Sequence, residues 1–454
     1  MKVAVVGGGI AGLAAAYFVR RERPDVDVVV FEGSPSIGGK LALGELAGMT
    51  IDLGAESMLA RRPEAVGLAR AVGLGDSLVH PVTITAGIWT LGAIRSMPPT
   101  VMGVPSDLDA LLATGIVAGM PEATPLLKEF DEDLDVAQFV RAMLPGAFGA
   151  DVVDRLIEPL LGGVYAGHAS KLSLRAAAPQ IAALWPDLLA AAAEVRQTVD
   201  PTPVFAGITG GVGRLPQAVA DASGAEVRVN ATVRQIEHAN DVWRLVVGPT
   251  TDFETIEVDA VIVAAPAPAA ARLLAVEAAD AAFELAAIDY ASMALVSLAL
   301  PAEGFARPVA GSGFLVPPID GKQIKASTFS SQKWGWVADA APADTVVVRC
   351  SLGRAGETAV LQQDDAELIR LALADLSEAT GFSGLPLDAH VRRWGGGLPQ
   401  YGVGHLDRVA AIEASIAQVK TLEVCGAAYR GVGIPAVIAS AEGAARRLLE
   451  HLGE

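Results

Sequence analysis

The pattern of apolar positions is clearest at the start of the chain. Residues 2–6 (KVAVV) form a short apolar run of the kind that makes a strand buried on both faces. Residues 13–20 have helical spacing, and residues 26–31 (VDVVVF) form a second apolar run that ends at Glu32. A strand, a helix and a second strand in this order predict a βαβ unit with parallel strands.

Beyond this unit the pattern changes three times. Residues 58–204 carry apolar positions at i, i+3 and i+4, as helices packed against a core do. Residues 205–270 return to short apolar runs, which predict a β-meander and a buried strand, and residues 271–395 alternate strand and helix patterns. The helices expected in the first of these segments are 63–73, 106–119, 135–144, 151–161 and 172–195. The strands expected in the second are 227–229, 231–238, 243–247 and 258–265.

These segments predict a Rossmann-like α/β fold with α+β elements. At 454 residues the chain is long enough for two or three domains. We expect residues 1–57, 205–270 and 396–454 to form one discontinuous domain. We expect residues 58–204 to form a mostly helical subdomain and residues 271–395 to form a mixed-sheet domain.

Between the first strand and the first helix the chain reads Gly7-Gly8-Gly9-Ile10-Ala11-Gly12. In such a fingerprint Gly7 allows a tight turn, Gly9 lets a pyrophosphate approach the backbone, and Gly12 lets helix and strand pack closely. The free N–H groups at the start of the helix favour phosphate. Glu32, at the end of the second strand, can accept hydrogen bonds from both ribose hydroxyls, which favours NAD or FAD over NADP.

A second glycine pair favours FAD over NAD. Gly33 and then Gly38-Gly39-Lys40 follow Glu32, and a predicted hairpin leads to Asp52-Leu53-Gly54-Ala55-Glu56-Ser57. An NAD-binding unit does not need this segment, whereas flavoproteins with two dinucleotide-binding domains use E…GGR…D.GA to wrap the ADP and reach the isoalloxazine ring. Lys40 stands in place of the arginine, which keeps the cation but loses its bidentate geometry. We therefore predict that the discontinuous domain of residues 1–57, 205–270 and 396–454 binds FAD.

Composition narrows the classes of function. The formal charge of −18 argues against a nucleic-acid partner and against a basic membrane-binding face. The mean hydropathy is +0.42, but no apolar run has the roughly 18 residues of a spanning helix, so we expect no membrane span, and peripheral contact stays open. Cys350 and Cys425 give neither a disulfide framework nor a metal spacing. These isolated cysteines suit a reducing compartment, so we expect a cytoplasmic location. The chain starts with its first strand, so we expect no signal peptide.

Several blocks outside the glycine fingerprint resemble the protoporphyrinogen/coproporphyrinogen oxidase family of flavin enzymes. The most specific are residues 157–167, IEPLLGGVYAG, which predict a glycine-dense turn, and residues 398–405, LPQYGVGH. Further matches are Leu172-Ser173-Leu174, Lys333-Trp334-Gly335, Arg393-Trp394 and Gly431-Val432-Gly433-Ile434-Pro435. The resemblance covers nearly the whole chain and looks closest to the Gram-positive or actinobacterial branch, whose members oxidise coproporphyrinogen III.

The resemblance implies a flavoprotein of the amine-oxidase type, with two dinucleotide-binding domains, an FAD cofactor and a role in heme biosynthesis. A porphyrinogen loses six hydrogens in three two-electron steps. In this chemistry hydride leaves a meso carbon for N5 of FAD, and O2 reoxidises the flavin to give H2O2. The cofactor carries the reaction, so we expect no catalytic triad or carboxylate pair and assign no catalytic residue.

The resemblance also suggests which residues contact the substrate. Arg62 stands where the family has a basic contact for a propionate, and Lys325 and Lys333 are weaker candidates for that task. Tyr401 and His405 are candidates for proton transfer, although we expect neither to be essential. The residues expected to sandwich the macrocycle are Val164, Tyr165 and Phe314.

The remaining flavin contacts are expected from later segments of the chain. Val233 lies where such folds place a strand against adenine, and Trp394 resembles the family's tryptophan near the flavin. The glycine loop before the last helix would bring the N-terminus of that helix to the flavin pyrimidine or to a phosphate. The contacts expected from this loop are Gly426, Val432, Gly433 and Ile434.

Several alternatives stay open. The substrate could be protoporphyrinogen IX. Amine oxidases and carotenoid desaturases share the segments at 7–12 and 38–39, but they are not expected to contain the block at 162–167. A non-catalytic flavoprotein could deliver porphyrin to a ferrochelatase, with which an active oxidase would also be in transient contact. A plain NAD dehydrogenase would not be yellow when purified.

Overall fold

The computed structural model describes residues 1–121, 125–129, 131–198 and 202–453. The strands within these ranges are β1 (Lys2–Val6), β2 (Asp27–Phe31), β3 (Leu43–Leu46), β4 (Met49–Asp52), β5 (Met58–Leu59), β6 (Leu78–Val79), β7 (Ala86–Thr90), β8 (Ala93–Ser96), β9 (Thr100–Val101), β10 (Val104–Pro105), β11 (Phe205–Ile208), β12 (Glu226–Arg228), β13 (Val233–Ala239), β14 (Val242–Val247), β15 (Glu254–Val258), β16 (Ala260–Val263), β17 (Tyr290–Pro301), β18 (Gly313–Leu315), β19 (Ile324–Phe329), β20 (Thr345–Leu352), β21 (Asp388–Pro399) and β22 (Leu422–Val424).

The α-helices of the same ranges are α1 (Ile10–Glu22), α2 (Pro63–Ala71), α3 (Leu108–Thr114), α4 (Val136–Met143), α5 (Ala147–Val152), α6 (Glu158–Tyr165), α7 (Leu174–Ala177), α8 (Pro179–Ala182), α9 (Leu188–Gln197), α10 (Leu215–Ser223), α11 (Ala267–Leu274), α12 (Ala279–Ala286), α13 (Ser330–Lys333), α14 (Gly335–Ala340), α15 (Asp365–Thr380), α16 (His405–Ile416) and α17 (Ile434–Gly453). A π-helical turn, Val153–Ile157, joins α5 to α6. None of these helices has the length and apolar character needed to cross a membrane.

The region predicted to bind a nucleotide contains a five-stranded parallel sheet in the order β12-β2-β1-β16-β22. Its central strands are valine-rich runs that are buried on both faces. Helices α1, α10 and α17 cover one face, and α11, α12 and α16 cover the other together with the antiparallel sheet β13-β14-β15. The predicted βαβ unit and the Rossmann-like α/β class are confirmed, and the predicted hairpin is β3–β4.

The prediction that residues 227–229 begin the β-meander is wrong. Strand β12 instead pairs parallel to β2 at the edge of the five-stranded sheet, with Val227 opposite Val30. The meander consists of β13, β14 and β15, and its third strand is not evident from the apolar pattern. Helix α10 ends at Gly224, which has a φ of +60°, and the chain then returns parallel to β2. Such a crossover depends on the packing of α10 against the sheet, which local periodicity does not show.

A second, mixed sheet has seven strands in the order β21-β17-β20-β19-β18-β7-β8, and α15 packs on one of its faces. The hairpin β7–β8 comes from the segment predicted to be mostly helical. It joins this sheet through parallel pairing of β7 with β18, in which Gly87 lies opposite Phe314. The described part of the segment 58–204 therefore begins with six short strands, β5 to β10, with α2 among them, and the helices α3 to α9 follow. The spacing of apolar residues does not predict these strands, because it does not reveal a partner strand far away in sequence.

Helices α3 to α9 share one hydrophobic core. The single helix predicted at 172–195 is divided into α7, α8 and α9. Pro179 is the first residue of α8, and Asp187 caps α9 by accepting a hydrogen bond from the N–H of Ala190 (3.1 Å). Proline is tolerated only in the first turn of a helix, so the prolines in this segment explain why it is divided.

The glycine-dense turn predicted at 158–167 is instead a helix for most of its length. Helix α6 continues to Tyr165 and ends at Ala166, which has a φ of +49°. The carboxylate of Glu158 accepts a hydrogen bond from the N–H of Ala169 (2.6 Å) and pairs with His168 (2.7 Å). These contacts tie the chain after α6 back to its first turn, so tertiary contacts outweigh the low helix propensity of the two glycines.

Candidate functional site

The turn between β1 and α1 has the shape needed to receive a phosphate group. Gly7 has a φ of +115°, and a Cβ at Gly12 would lie 1.9 Å from the carbonyl oxygen of Gly7. A Cβ at Gly9, in contrast, would meet nothing within 4 Å. Helix α1 begins at Ile10 and Ala11, both buried, and has neither a side-chain cap nor an acidic residue in its first turn. Its first N–H groups therefore suit an anion that approaches over Gly9.

Glu32 lies beside this turn. Its Oε2 accepts a hydrogen bond from the N–H of Gly8 (2.7 Å), and its Oε1 accepts one from the N–H of Ser34 (2.8 Å). These bonds fix the carboxylate and leave lone pairs for ribose hydroxyls. Gly33 packs closely on Thr232, because a Cβ at Gly33 would lie 2.9 Å from the hydroxyl oxygen of Thr232. Val233 itself is buried at the start of β13.

The loop with the second glycine pair lies against the first turn. The N–H of Gly38 donates to the carbonyl oxygen of Gly8 (2.8 Å), and a Cβ at Gly39 would lie 3.5 Å from the Cα of Gly9. A Cβ at Gly54 would lie 1.8 Å from the carbonyl oxygen of Lys40, whose side chain is exposed. The two segments predicted from the sequence to contact the cofactor are therefore direct neighbours.

Glu56 is held by two cations that come from the region of the second sheet. Its Oε1 accepts a hydrogen bond from Nζ of Lys333, and its Oε2 accepts one from Nη1 of Arg349, both at 2.7 Å. Arg349 also donates to the carbonyl oxygen of Gly54 (2.5 Å). Burial by itself would raise the pKa of Glu56, but the two cations outweigh it and lower this pKa to about 2. Glu56 is thus ionised at neutral pH.

Asp52 and Trp394 hold the backbone just before the segment Gly54–Ser57. The carboxylate of Asp52 accepts hydrogen bonds from two backbone N–H groups just before α10 (2.9 and 3.1 Å), and burial raises its pKa to about 6. Nε1 of Trp394 donates to the carbonyl oxygen of Leu53 (2.9 Å). Ala55 and Ser57, which flank Glu56, are half-buried. The backbone that the sequence assigns to the flavin is therefore anchored on both sides.

The loop between β22 and α17 passes the first turn of α1. Gly426 has a φ of +132°, and a Cβ there would lie 3.9 Å from the Cβ of Ala11. Val432 is half-buried, Gly433 is exposed, and Ile434 begins α17, whose first turn contains no acidic residue. The structure thus brings the predicted C-terminal contacts to the same region as the N-terminal glycine turn.

These segments fit a dinucleotide with a flavin ring. The open space over Gly9 suits a pyrophosphate, and the fixed carboxylate of Glu32 suits a ribose. In the described part of the chain, Nε of Arg349 is buried and has no hydrogen-bond partner, which leaves a donor beside the segment Gly54–Ser57.

A family model described as "Flavin containing amine oxidoreductase" matches residues 10–449. The chain belongs to this family. A flavin cofactor and an oxidoreductase activity follow from the membership, and the predicted amine-oxidase type of fold is confirmed.

Relatives refine the position of this flavin oxidoreductase. The coproporphyrinogen III oxidase of Mycobacterium tuberculosis (strain H37Rv) is 36% identical over 99% of this chain and 97% of its own length. The Bacillus subtilis protein of that name is 29% identical over 99% of this chain and 98% of its own length. An Exiguobacterium crystal structure, provisionally assigned as a protoporphyrinogen oxidase, has a TM-score of 0.87 and 30% identity over 100% of this chain and 99% of its own. The resemblance to the protoporphyrinogen/coproporphyrinogen oxidases is thereby confirmed.

Cyclohexylamine oxidase from Brevibacterium oxydans is similar in fold alone. Its structure has a TM-score of 0.71, and its sequence is 17% identical over 100% of this chain and 99% of its own. The whole chain therefore has the amine-oxidase type of fold.

The two aromatic residues predicted to contact the substrate pack in different cores. Tyr165 is 5% exposed, and its ring lies 5.5 Å from that of Tyr401 in the helical core. Phe314 is 2% exposed and packs edge-on to Trp89 in the core of the seven-stranded sheet. The structure therefore does not show these rings as two walls of one open cavity. The residue after Val164 on a helix points about 100° away from it, which sends Tyr165 inward.

Val164 and Arg62 keep exposed side chains. Val164 is 44% exposed on α6. The guanidinium of Arg62, just before α2, pairs with the carboxylate of Glu64 (2.5 Å). Both remain accessible to a ligand, and their roles toward a substrate remain predictions.

The two lysines considered for the substrate have internal partners instead. Lys333 is bound to Glu56, and Lys325 is buried and donates to the carbonyl oxygen of Gly353 (3.0 Å). Sequence reasoning also missed Arg349. A charged residue inside the apolar strand VVVRC was the available signal, because a buried cation in a sheet requires a specific partner.

Proposed function

We propose that this protein oxidises coproporphyrinogen III to coproporphyrin III in heme biosynthesis, with FAD as cofactor and O2 as electron acceptor. The observation that carries the proposal is the 36% identity, over 99% of the chain, with a Mycobacterium tuberculosis protein named coproporphyrinogen III oxidase. The blocks at 157–167 and 398–405 support it, since they resemble the same family.

The residues of the chain would bind and orient the reactants. Bound FAD would supply the two-electron acceptor that a six-electron oxidation needs three times, with O2 as the final acceptor. The N–H groups around Gly9 would hold the pyrophosphate, and Glu32 would hold the ribose. The segment Gly54–Ser57 would support the flavin ring, kept in place by Lys333 and Arg349.

The proposal assigns a role to each part of the chain. Residues 1–57, 205–270 and 396–454 would form the FAD-binding domain, residues 271–395 would bind the substrate, and residues 58–204 would complete the walls of the site. The product would pass to a ferrochelatase through a transient contact, and a cytoplasmic location remains a prediction.

Coproporphyrinogen III carries four propionates, so its binding requires a cation near the entrance of the site. Arg62 is the candidate, because its side chain is 44% exposed and its pairing with Glu64 is a weak surface interaction that a propionate can replace. Val164, exposed on α6, would provide apolar contact with the macrocycle.

The test is porphyrin formation by the purified holoprotein in air. Fluorescence would be followed with coproporphyrinogen III and, separately, with protoporphyrinogen IX, together with the flavin spectrum and the release of peroxide. We expect faster oxidation of coproporphyrinogen III with three equivalents of H2O2 per porphyrin. A yellow protein that oxidises neither substrate would contradict the proposal.

The role of Arg62 is tested by Arg62→Ala, with Arg23→Ala as the matched control. Arg23 is also an exposed arginine paired with a carboxylate two residues later, Asp25 (2.8 Å), but lies at the end of α1. We expect about a tenfold rise in KM for coproporphyrinogen III in Arg62→Ala, because one charge-assisted contact is lost. We expect no change in this KM in Arg23→Ala. Equal KM values in all three proteins would remove Arg62 from the proposal.

Protoporphyrinogen IX is the second candidate substrate. The chloroplastic protoporphyrinogen oxidase of Oryza sativa is 28% identical over 91% of this chain and 81% of its own length. Protoporphyrinogen IX keeps two of the four propionates, so Arg62 could serve either substrate, and the direct comparison of the two oxidation rates decides between them.

A further inference from the structure

The block Gln400–His405 has no assigned role in the proposed function, although it is among the most specific parts of the sequence. It lies between β21 and α16 and faces the loop that leads into α17. Tyr401 is 1% exposed and His405 is fully buried. Neither side chain is accessible to a substrate, so a role in proton transfer to solvent does not suit them.

Tyr401 joins the two ends of the loop before α17. Its hydroxyl donates a hydrogen bond to the carbonyl oxygen of Ala427 (2.6 Å) and accepts one from the N–H of Gly431 (2.8 Å). One phenol oxygen therefore uses both its donor and an acceptor position on the same loop. It fixes the separation of the two ends without any strand or helix hydrogen bond between them.

His405 holds the middle of the same loop. Its Nε2 lies 2.8 Å from the carbonyl oxygen of Tyr429, and since a carbonyl only accepts, Nε2 carries the proton. The imidazole stacks on the ring of Tyr401, with centroids 3.9 Å apart and planes at 15°. The two side chains thus form one unit that contacts three backbone atoms of the stretch from Ala427 to Gly431.

The loop needs such external support. Gly426 and Gly431 have φ angles of +132° and +141°, in a region that only glycine adopts readily. Two glycines in this conformation make the free loop flexible, because glycine loses the most conformational entropy when it is ordered. The next residues along the chain, Val432 and Gly433, are those expected to meet the flavin, and α17 follows at once.

The block is itself anchored on the helical region that carries the substrate candidates. Nε2 of Gln400 donates to the carbonyl oxygen of Tyr165 at the end of α6 (2.7 Å). The carbonyl oxygen of Tyr401 accepts from the N–H of Ser173 (2.7 Å). Tyr401 and His405, which we call the clamp, are therefore attached to a packed part of the molecule. The clamp connects the end of α6 with the loop before α17.

We propose that Tyr401 and His405 are positioning residues for the flavin cofactor: they hold the loop from Ala427 to Gly431 in the conformation that presents Val432, Gly433 and the start of α17 to it. The inference rests on the proposed FAD site but not on the identity of the substrate.

The test compares Tyr401→Phe with Tyr429→Phe. Both variants remove one buried hydroxyl and keep the ring, but the hydroxyl of Tyr429 has no hydrogen-bond partner in the described residues. FAD would be removed and titrated back without substrate, and its dissociation constant read from flavin fluorescence. Loss of two hydrogen bonds to the loop in Tyr401→Phe should raise this constant about tenfold, with a change under about twofold in Tyr429→Phe.

Two further readouts separate positioning from general destabilisation. Amide exchange of residues 426–433 should accelerate in apo Tyr401→Phe but not in apo Tyr429→Phe, and the visible circular dichroism of the rebound flavin should change in Tyr401→Phe alone. If the two variants bind FAD equally well, or lose affinity equally, the proposal is overturned.

A second variant covers the case in which Tyr401→Phe does not fold. His405→Phe keeps a ring to stack on Tyr401 and removes only the donor to Tyr429, and we expect about a fivefold rise in the FAD dissociation constant. Unchanged affinity there would also contradict the clamp. Failure of the wild-type protein to oxidise any porphyrinogen would count against the proposed function and leave these FAD affinities unaffected.

Discussion

Glu56 is a partly buried carboxylate with two cationic partners. Its carboxylate lies between Lys333 and Arg349, and the three side chains are 13%, 16% and 9% exposed. In Glu56→Gln two buried cations would lose their counter-ion, so we expect the free energy of unfolding at pH 7, measured with urea, to fall by about 3 kcal/mol. The matched control is Glu64→Gln at the exposed pair with Arg62, where the loss should be below about 1 kcal/mol.

The pH dependence of that loss gives a second check on Glu56. Its pKa is lowered to about 2 in the folded protein, so the folded state binds fewer protons than the unfolded state below about pH 4.5. The stability that Glu56 contributes is present above this pH and is lost as the pH falls toward 2. The difference between wild type and Glu56→Gln should therefore shrink in acid, and a constant difference would contradict the ion-pair account.

Lys325 is a buried lysine whose ammonium group donates to one neutral acceptor, the carbonyl oxygen of Gly353, among the described residues. Burial, and then the charge of Arg354, lower its pKa to about 7. The folded state therefore loses stability as the pH falls from about 10.4 to 7. We expect Lys325→Met to increase the free energy of unfolding by about 2 kcal/mol at pH 6.5 and by much less at pH 10, measured with urea. Lys322→Met, at a partly exposed lysine paired with Glu378, is the control and should show no such gain.

At the scale of elements, two glycines of the turn before α1 serve different purposes: we expect Gly12 to matter for folding and Gly9 for cofactor binding. Gly12→Ala would force a Cβ to within 1.9 Å of a carbonyl oxygen, and we expect it to destabilise the apoprotein by about 3 kcal/mol. Gly9 has ordinary backbone angles and open surroundings, so Gly9→Ala should change apoprotein stability by less than about 1 kcal/mol. The new methyl group would nevertheless stand where the pyrophosphate approaches.

Thermal melts of the apoproteins and FAD titrations distinguish these two effects. We expect Gly9→Ala to weaken FAD binding at least tenfold, because its methyl group would separate the phosphate from the N–H groups of α1. FAD affinity equal to that of the wild type in Gly9→Ala would show that the phosphates bind elsewhere.

At the scale of the whole molecule, the two cysteines report global unfolding. Cys350 lies in β20 of the seven-stranded sheet, and Cys425 follows β22 of the five-stranded sheet; both are fully buried, and burial raises the pKa of each thiol to about 12. Since thiolates are the reactive form, we expect no reaction of the native protein with a thiol reagent at pH 8 and two equivalents after denaturation. Rapid labelling of one native thiol would show that one of the sheets opens locally.

The sequence by itself determined the features that depend on residues close together in the chain. The βαβ unit, the turn from Gly7 to Gly12 and Glu32 follow from apolar periodicity, from the conformational freedom of glycine and from short spacings. The hairpin β3–β4 follows for the same reason. The motifs also indicated the family, because LPQYGVGH and IEPLLGGVYAG are specific strings in themselves.

Only the tertiary structure decided how distant segments combine. The pairing of β7 with β18, the helical form of α6, the binding of Glu56 by Lys333 and the contact of Tyr401 with Gly431 cannot be obtained from local patterns. Each depends on which surfaces pack together, since burial makes an ion pair or a hydrogen bond necessary but does not specify the partner. The local order of apolar and polar residues thus set the elements, and the packing of remote elements set the chemistry of the site.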